Sequence, residues 1–338
     1  MNQLTETVAR PRLVDRFGRQ ITYLRLSVTD RCDLRCLYCM KAKPDFLPKS
    51  ELLSLEELNT ICERFIARGV TKIRITGGEP LVRRNVVSLI EALGQRIGHG
   101  LDELALTTNA TQLDRFADRI ARAGVRRVNV SLDTLDAAKF ALLTRGGKLE
   151  QTLAGVRAAK HAGLKVKINA VALRGTNDDE LPDLIGWAHG EGFDVSLIEV
   201  MPMGDVEARR SDQFLSLLGF REQLEQRWTL TDLPDSTGGP SRYVRITETG
   251  GRLGFITPLT ENFCAGCNRV RVTCTGQLYM CLGRDGSVDL RKVIREQGAG
   301  ALDAALDEAM AAKPERHFFD VSEGAAPAVS RDMARTGG

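Results

Sequence analysis

The chain has 338 residues, enough for one large α/β domain with an appendage or for two ordinary domains. Its composition (43% hydrophobic, 27% charged) and formal net charge of +3 exclude collagen-like, coiled-coil and disordered chains and argue against a bulk nucleic-acid binder. No apolar run approaches the ~20 residues of a membrane span, and the polar start, Met1 to Gln20, lacks the apolar core and cleavage site of a secretory signal, so a cytoplasmic globular protein without membrane or nucleic-acid partners is expected.

The first strand-like run covers 21–28 (ITYLRLSV), and others follow at 72–76, 103–107, 125–132, 165–173 and 194–200. Helix-period segments lie between them. Ser54-Leu55-Glu56-Glu57 is a capping box opening a helix that ends near Gly69, and Thr111 to Asp114 opens another that ends at Gly124. Strand, helix, strand with short links is the pattern of right-handed βαβ units and a parallel sheet. Six such units between about 21 and 227 fall short of an eight-fold barrel, which leaves an open six-fold barrel or a doubly wound sheet. A helix at 212–227 closes this part. Thr231 to Ser241, rich in Pro, Gly and Asp, reads as a linker. Short strands around 242–257 and 269–281 and a helix near 300–312 follow, and the small, polar stretch from Glu323 to Gly338 is expected to be a flexible tail. The division expected is a core over 1–230, a C-terminal α+β extension over 231–322 and the tail over 323–338.

Eight cysteines in a chain this long are too dilute for a disulfide scaffold, but seven of them fall into two groups. Cys32, Cys36 and Cys39 follow the first strand directly, where loops of parallel α/β folds form the active face. Their C-x3-C-x2-C spacing can hold three corners of a four-iron, four-sulfur cube and leaves the fourth iron open for a small molecule. A structural zinc would need a fourth protein ligand, and no His lies nearby. Other strand ends add small polar groups: Thr76-Gly77-Gly78-Glu79-Pro80, Thr107-Thr108-Asn109 and Ser131-Leu132-Asp133. The two glycines admit a ligand close to backbone, and Glu79 is an acceptor that could hold an ammonium. Together they suit a nucleoside.

The late group holds Cys264, Cys267, Cys274 and Cys281. Residues alternate from Asn268 to Cys274, and Thr275-Gly276 reads as a hairpin tip. Folding there returns Cys281 to a position opposite Arg269 or Val270, beside Cys267, whereas Cys274 stays near the tip on the apolar face of Val270 and Val272. Cys264, Cys267 and Cys281 are therefore the candidate ligands, and Cys274 and Cys62 are packing residues. A zinc knuckle completed from elsewhere is the alternative on spacing alone. Arg269 and Arg271 share the opposite face and suit an anion such as triphosphate. Arg25, Arg74 and Lys167 each interrupt an apolar strand, and a buried cation there needs an anionic partner, either a ligand or a neighbouring carboxylate.

C-x3-C-x2-C with Tyr38 before its last Cys, then GGEP after the second strand, resembles the radical S-adenosylmethionine (SAM) superfamily. Its pairing with a late C-x2-C-x13-C, the N-R-x-R run from Asn268 to Arg271 and a Gly337-Gly338 end closely resembles the GTP 3′,8-cyclase family along nearly the whole chain. That resemblance implies an incomplete (β/α)6 TIM-like barrel of radical SAM type, with a C-terminal α+β extension carrying a second Fe–S cluster. It implies two [4Fe-4S] clusters, held by Cys32, Cys36 and Cys39 and by Cys264, Cys267 and Cys281. It places SAM against Tyr38, Gly78, Ser131 and Met201, and GTP against Arg25, Arg74, Thr107, Lys167, Arg269 and Arg271. The implied reaction makes (8S)-3′,8-cyclo-7,8-dihydroguanosine 5′-triphosphate: a 5′-deoxyadenosyl radical from SAM takes hydrogen from the ribose 3′ carbon, that carbon attacks guanine carbon 8, and one-electron reduction and protonation of the cyclised radical complete the product. No side chain acts as a catalytic acid or base in that step. The implied partners are an electron donor such as flavodoxin or ferredoxin and, downstream, cyclic pyranopterin monophosphate synthase, with the chain a monomer or homodimer. Lys41 after Met40, where the family often has Pro, and Thr336 before Gly-Gly, where it usually has an aliphatic residue, depart from the pattern. The competing readings are another radical SAM enzyme with an auxiliary cluster, such as a peptide maturase, and a non-catalytic iron–sulfur or zinc protein.

Overall fold

A computed structural model describes residues 11–204, 206, 210–234, 238–322 and 326–337. Six strands recur in chain order: β1 Tyr23–Ser27, β2 Lys72–Thr76, β3 Glu103–Thr108, β4 Arg127–Ser131, β5 Lys165–Ala172 and β6 Asp194–Glu199. Each pairs in parallel with the next. The consecutive order of β1 to β6 is that of a single winding, as in a barrel, and removes the doubly wound alternative, whose strand order reverses at a switch point. The helices between them are α1 Leu55–Ala67, α2 Val86–Gly94, α3 Ala117–Arg122, α4 Ala137–Thr144, α5 Leu149–His161 and α6 Leu181–Gly190. The predicted capping box is present on α1: Glu57 N–H donates to Ser54 Oγ at 3.1 Å and Ser54 N–H to Glu57 Oε2 at 2.7 Å.

β1 and β6 do not close on each other. The C-terminal part supplies a further parallel strand to each edge: β10 Arg269–Val272 beside β1 and β9 Arg252–Ile256 beside β6. Antiparallel strands β8 Arg242–Ile246 and β7 Leu230–Leu233 extend one side, and β11 Gln277–Tyr279 and β12 Ser287–Asp289 the other, giving one twelve-stranded sheet. The C-terminal extension is thus built into the core sheet, and the expected linker begins as strand β7. Short helices α7 Arg210–Gln213 and α8 Leu217–Glu225 precede these strands; α9 Leu290–Glu296, α10 Leu302–Ala312 and α11 Met333–Thr336 follow.

The expected flexible tail is likewise packed from residue 326 onward. Val329 and Ala334 are buried, Gly204 N–H bonds the Val329 carbonyl at 3.0 Å, and Arg331 donates to the carbonyls of Leu282 and Arg284 at 2.5 and 2.6 Å. A sequence of small polar residues hid this because the docking depends on backbone groups and one arginine. Gly338 lies outside the described residues.

The strands alternate sharply. One sheet face carries Leu24, Leu26, Ile73, Ile75, Leu104, Leu106, Val128 and Val130, all in the main apolar core with the helices. The other face carries Tyr23, Arg25, Arg74, Thr107, Asn129, Ser131, Lys167 and Asn169, which line an internal cavity. The barrel interior is therefore polar and shaped around something other than its own side chains. Among the described residues no helix is long and apolar enough to cross a membrane.

Candidate active site

The first cysteine loop leaves β1 and is pinned to the end of α4: Arg35 N–H bonds the Thr144 carbonyl at 3.0 Å and Leu37 N–H the Leu143 carbonyl at 2.9 Å. Arg145 closes it by donating to the carbonyls of Arg35 and Met40 at 2.9 and 3.0 Å. Cys32, Cys36 and Cys39 all face the cavity. Burial pushes all three thiols up, Cys39 to about 11. Thiolates in such a place require a cation to form. Gly78 lies directly against this loop, its N–H bonded to the Thr29 carbonyl at 2.8 Å, and an added Cβ would collide with the Arg31 carbonyl. Tyr38 donates to Asp133 Oδ2 at 2.6 Å, while Val171 N–H holds Oδ1 at 2.8 Å. Burial raises Asp133 to about 6 against these two donors.

Glu79 does not face the cavity as the sequence suggested. Its carboxylate is wholly buried and accepts from Thr108 Oγ1 (2.8 Å), Asn109 N–H (2.7 Å) and Leu81 N–H (3.0 Å). It ties the ends of β2 and β3 together, with both carboxylate oxygens already engaged. Burial, opposed by those donors, brings it up to about 7.

At the other end of the cavity β10 pairs with β11 in the register Arg271–Tyr279 and Val272–Leu278, which continues to place Cys281 opposite Arg269. Cys264, Cys267 and Cys281 line the cavity, whereas Cys274 and Cys62 do not. Cys274 is buried near the hairpin tip, where its thiol is pushed up to about 12, and Cys62 sits in the core of α1. Lys313, almost fully buried, donates to the carbonyls of Met280 (2.6 Å) and Arg269 (3.0 Å), with Nζ 3.9 Å from Cys267 Sγ. Burial raises Cys267, but Lys313, Arg269 and Arg19 outweigh it and hold the thiol below its ordinary value. All eight cysteines are free thiols. Among the described residues no three His, Cys, Asp or Glu side chains are grouped to hold one metal ion. A four-iron cube asks for something else: thiolates set apart from one another, each on its own iron, here three of the four.

Between the two trios lie the cations. Strand register sets Arg25 beside both Arg74 and Arg271. Burial and the neighbouring guanidiniums lower Arg25 to about 10 and pull Arg271 down, so the cluster is held together at an electrostatic cost. Arg271 and Arg25 donate to the Gly337 carbonyl at 2.7 and 3.3 Å, which brings the C-terminal segment to the cavity wall. Lys167 donates to Tyr243 Oη at 2.9 Å. Arg74 Nε, Thr107 Oγ1, Asn129 Oδ1 and Asn169 Oδ1 are sealed from solvent with no hydrogen-bond partner. Orphaned polar atoms in this number are costly and point to a ligand that satisfies them.

All sixteen residues expected from sequence to bind metal, SAM or GTP thus line the one cavity. Four further groups there were not anticipated. Tyr23 lies amid the cations, with Lys72 Nζ 5.0 Å and the Arg74 guanidinium 5.7 Å from its ring; Arg210 approaches the Cys39 end; Asn129 and Asn169 project from β4 and β5. Strand position and inward phase were legible for Tyr23 and the two asparagines, but neutral residues in a strand give no charge signal.

The radical SAM superfamily model matches residues 26–188, and the Molybdenum Cofactor Synthesis C model matches 193–319. A GTP 3′,8-cyclase from Erythrobacter litoralis (strain HTCC2594) is 62% identical over 332 residues, spanning 98% of this chain and 100% of that protein. The chain belongs to the GTP 3′,8-cyclase family. A second GTP 3′,8-cyclase, from Nitrobacter hamburgensis (strain DSM 10229 / NCIMB 13809 / X14), is 56% identical across 100% of this chain and 99% of its own. Among solved structures, Streptococcus suis SuiB bound to S-adenosylmethionine superposes with a TM-score of 0.61 at 16% identity, covering 94% of this chain and 78% of that one. At that identity the likeness is one of fold alone, an α/β architecture consistent with the radical SAM model match.

Proposed function

We infer that this chain cyclises GTP to (8S)-3′,8-cyclo-7,8-dihydroguanosine 5′-triphosphate, the first step of molybdenum cofactor biosynthesis. The observation that carries the reading is the single cavity with three thiols at either end and buried cations between them. The donor set fits two clusters, each with three protein thiolates and one open iron: Cys32, Cys36 and Cys39 for the first, Cys264, Cys267 and Cys281 for the second. The first cluster and SAM together supply, when bound, a carbon radical able to remove hydrogen from the ribose 3′ carbon.

The protein's part is to bind, orient and exclude water. Tyr38, its hydroxyl committed to Asp133, offers its ring to SAM, and Gly78, Ser131 and Met201 complete that side. Arg25, Arg74, Lys167, Arg269 and Arg271 hold the triphosphate, with Thr107 as a hydroxyl partner. Fixing the triphosphate in this way presents the ribose to the SAM side, which is where the rate gain of a positioned reaction arises. Lys313 and Arg269 favour the thiolate form of Cys267 and so help retain the second cluster. A flavodoxin- or ferredoxin-like donor and a downstream cyclic pyranopterin monophosphate synthase complete the proposed cytoplasmic setting.

The test is anaerobic reconstitution with iron and sulfide, followed by GTP, SAM and dithionite and mass measurement of the products. Equal amounts of 5′-deoxyadenosine and cyclised GTP are expected. 5′-Deoxyadenosine without a cyclised nucleotide would leave the radical SAM assignment and overturn the substrate.

A further inference from the structure

The cavity contains one histidine, His317, in the segment after α10, and nothing in the assignments above uses it. Its surroundings are specific. The ring packs on Phe319, with centroids 4.4 Å apart and planes inclined by 34°. Both residues press on Gly283, where an added Cβ would lie 2.7 Å from the Phe319 ring and 2.9 Å from His317 Cβ. The Gly283 N–H in turn donates to the Cys281 thiol. His317 therefore stands beside the second thiol trio, separated from Cys281 by a glycine that has to be a glycine.

The hydrogen bonding of the ring fixes its chemistry. Phe319 N–H donates to Nδ1 at 3.3 Å, so the neutral ring carries its proton on Nε2. Nε2 is sealed from solvent and has no partner. Burial and the Arg284 guanidinium favour the neutral ring. The ring that lines the cavity thus carries an uncharged, unpartnered N–H and lies against a second aromatic ring of the same lining. Phosphates are already provided with buried cations, and a neutral donor adds little there. A purine has what this site lacks: a flat face and acceptor atoms on its edge.

We propose that His317 recognises the purine base of the substrate, Nε2–H donating to an acceptor on the base edge while the ring pair borders its face. This rests on the GTP reading above and deepens it, since it assigns a base-selecting residue distinct from the phosphate-binding cations.

The experiment compares the dissociation constants of GTP and of ribose 5′-triphosphate, which has the sugar and phosphates but no base, on anaerobically reconstituted holoenzyme. Wild type, His317→Ala and His317→Gln are measured together with their iron contents. His317→Ala is expected to weaken GTP about tenfold, the loss of one buried hydrogen bond, and to leave ribose 5′-triphosphate unchanged. His317→Gln, which keeps an N–H donor, is expected to recover most of that loss. Unchanged GTP affinity in His317→Ala overturns the proposal. So does an equal loss for both ligands, which marks a general disturbance of the cavity, or a fall in iron content, which makes the ring part of the metal cage. Wild type that binds ribose 5′-triphosphate but gains nothing from the base overturns His317 alone; wild type that binds neither overturns the GTP reading itself.

Discussion

Tyr23 stands where four cations converge, and its behaviour follows from two opposed effects. Burial raises the phenol, but Arg74, Arg25, Lys72 and Arg269 together outweigh it and bring it down to about 8. With the cavity free of nucleotide, the phenolate is a partial counter-ion to the cluster, and Tyr23 also hydrogen-bonds Arg25. A bound triphosphate would satisfy the same cations and repel the phenolate, moving Tyr23 back toward its ordinary value near 10. Binding then requires the phenol protonated, so GTP affinity is lost as pH rises through about 8, approaching tenfold per unit at the steepest. Tyr23→Phe, which has no proton to lose, should lack that phase. Titrations of GTP binding between about pH 7 and 9.5 check this, and parallel profiles for the two proteins would sink it. The cations themselves were legible, because Arg25 and Arg74 break otherwise apolar strands and a charge there demands a reason. Tyr23, Asn129 and Asn169 were not, since an aromatic or amide in a strand is ordinary until its neighbours are known. Glu79 misled for the opposite reason: its sequence setting beside two glycines suggested exposure to ligand, whereas three donors from neighbouring segments enclose it.

At the level of elements, the β10–β11 hairpin separates working cysteines from a packed one by register alone. The pairing Arg271–Tyr279 carries Cys281 to the cavity beside Cys267, while Cys274 remains at the tip under Leu53, whose N–H bonds its carbonyl at 2.8 Å. Cys281→Ser should therefore lose iron from the second site, about half of the total. Cys274→Ser should keep its iron and lose on the order of 1–3 kcal/mol of stability, because a hydroxyl there replaces a buried apolar thiol. Iron analysis of both reconstituted variants decides it, and equal losses would refute the ligand assignment. This hairpin was readable because a turn signal sat between two alternating runs. The six strands β1 to β6 were readable for a related reason: apolar residues at every second position and short turn-bounded lengths. Helix α9 was missed although Asp289 caps it, its side chain accepting from Lys292 N–H at 2.9 Å. Only Leu290 of its seven residues is buried, so it lacks the apolar stripe that announces a helix.

At the level of the whole molecule, the long-range pairings of β10 with β1 and β9 with β6 could not be seen in local patterns. Partners some fifty residues apart (β6 and β9) or more than two hundred apart (β1 and β10) leave no periodic trace, and so the chain looked divisible at 230. The sheet contradicts that division physically. All five residues of β1 are buried, and its outer edge is covered by β10. Val270, Val272 and Leu278 belong to the same core cluster as Leu24 and Leu26, and Arg68 of the first half ion-pairs with Asp303 and Asp307 on α10. A fragment ending at residue 230 would expose two central parallel edges and leave Arg25 and Arg74 without the wall that shields them. Unpaired edges of this kind template aggregation, and the core residues that Leu253, Val270, Val272 and Leu278 cover would meet water. Residues 1–230 expressed alone should therefore be insoluble or lack cooperative thermal unfolding, even though the first family model ends well inside them. Sedimentation and near-ultraviolet circular dichroism provide the measurement: a soluble fragment with native-like aromatic signals and a single sharp melting transition would show that the barrel half is self-sufficient, and that the C-terminal strands merely decorate a core able to fold without them.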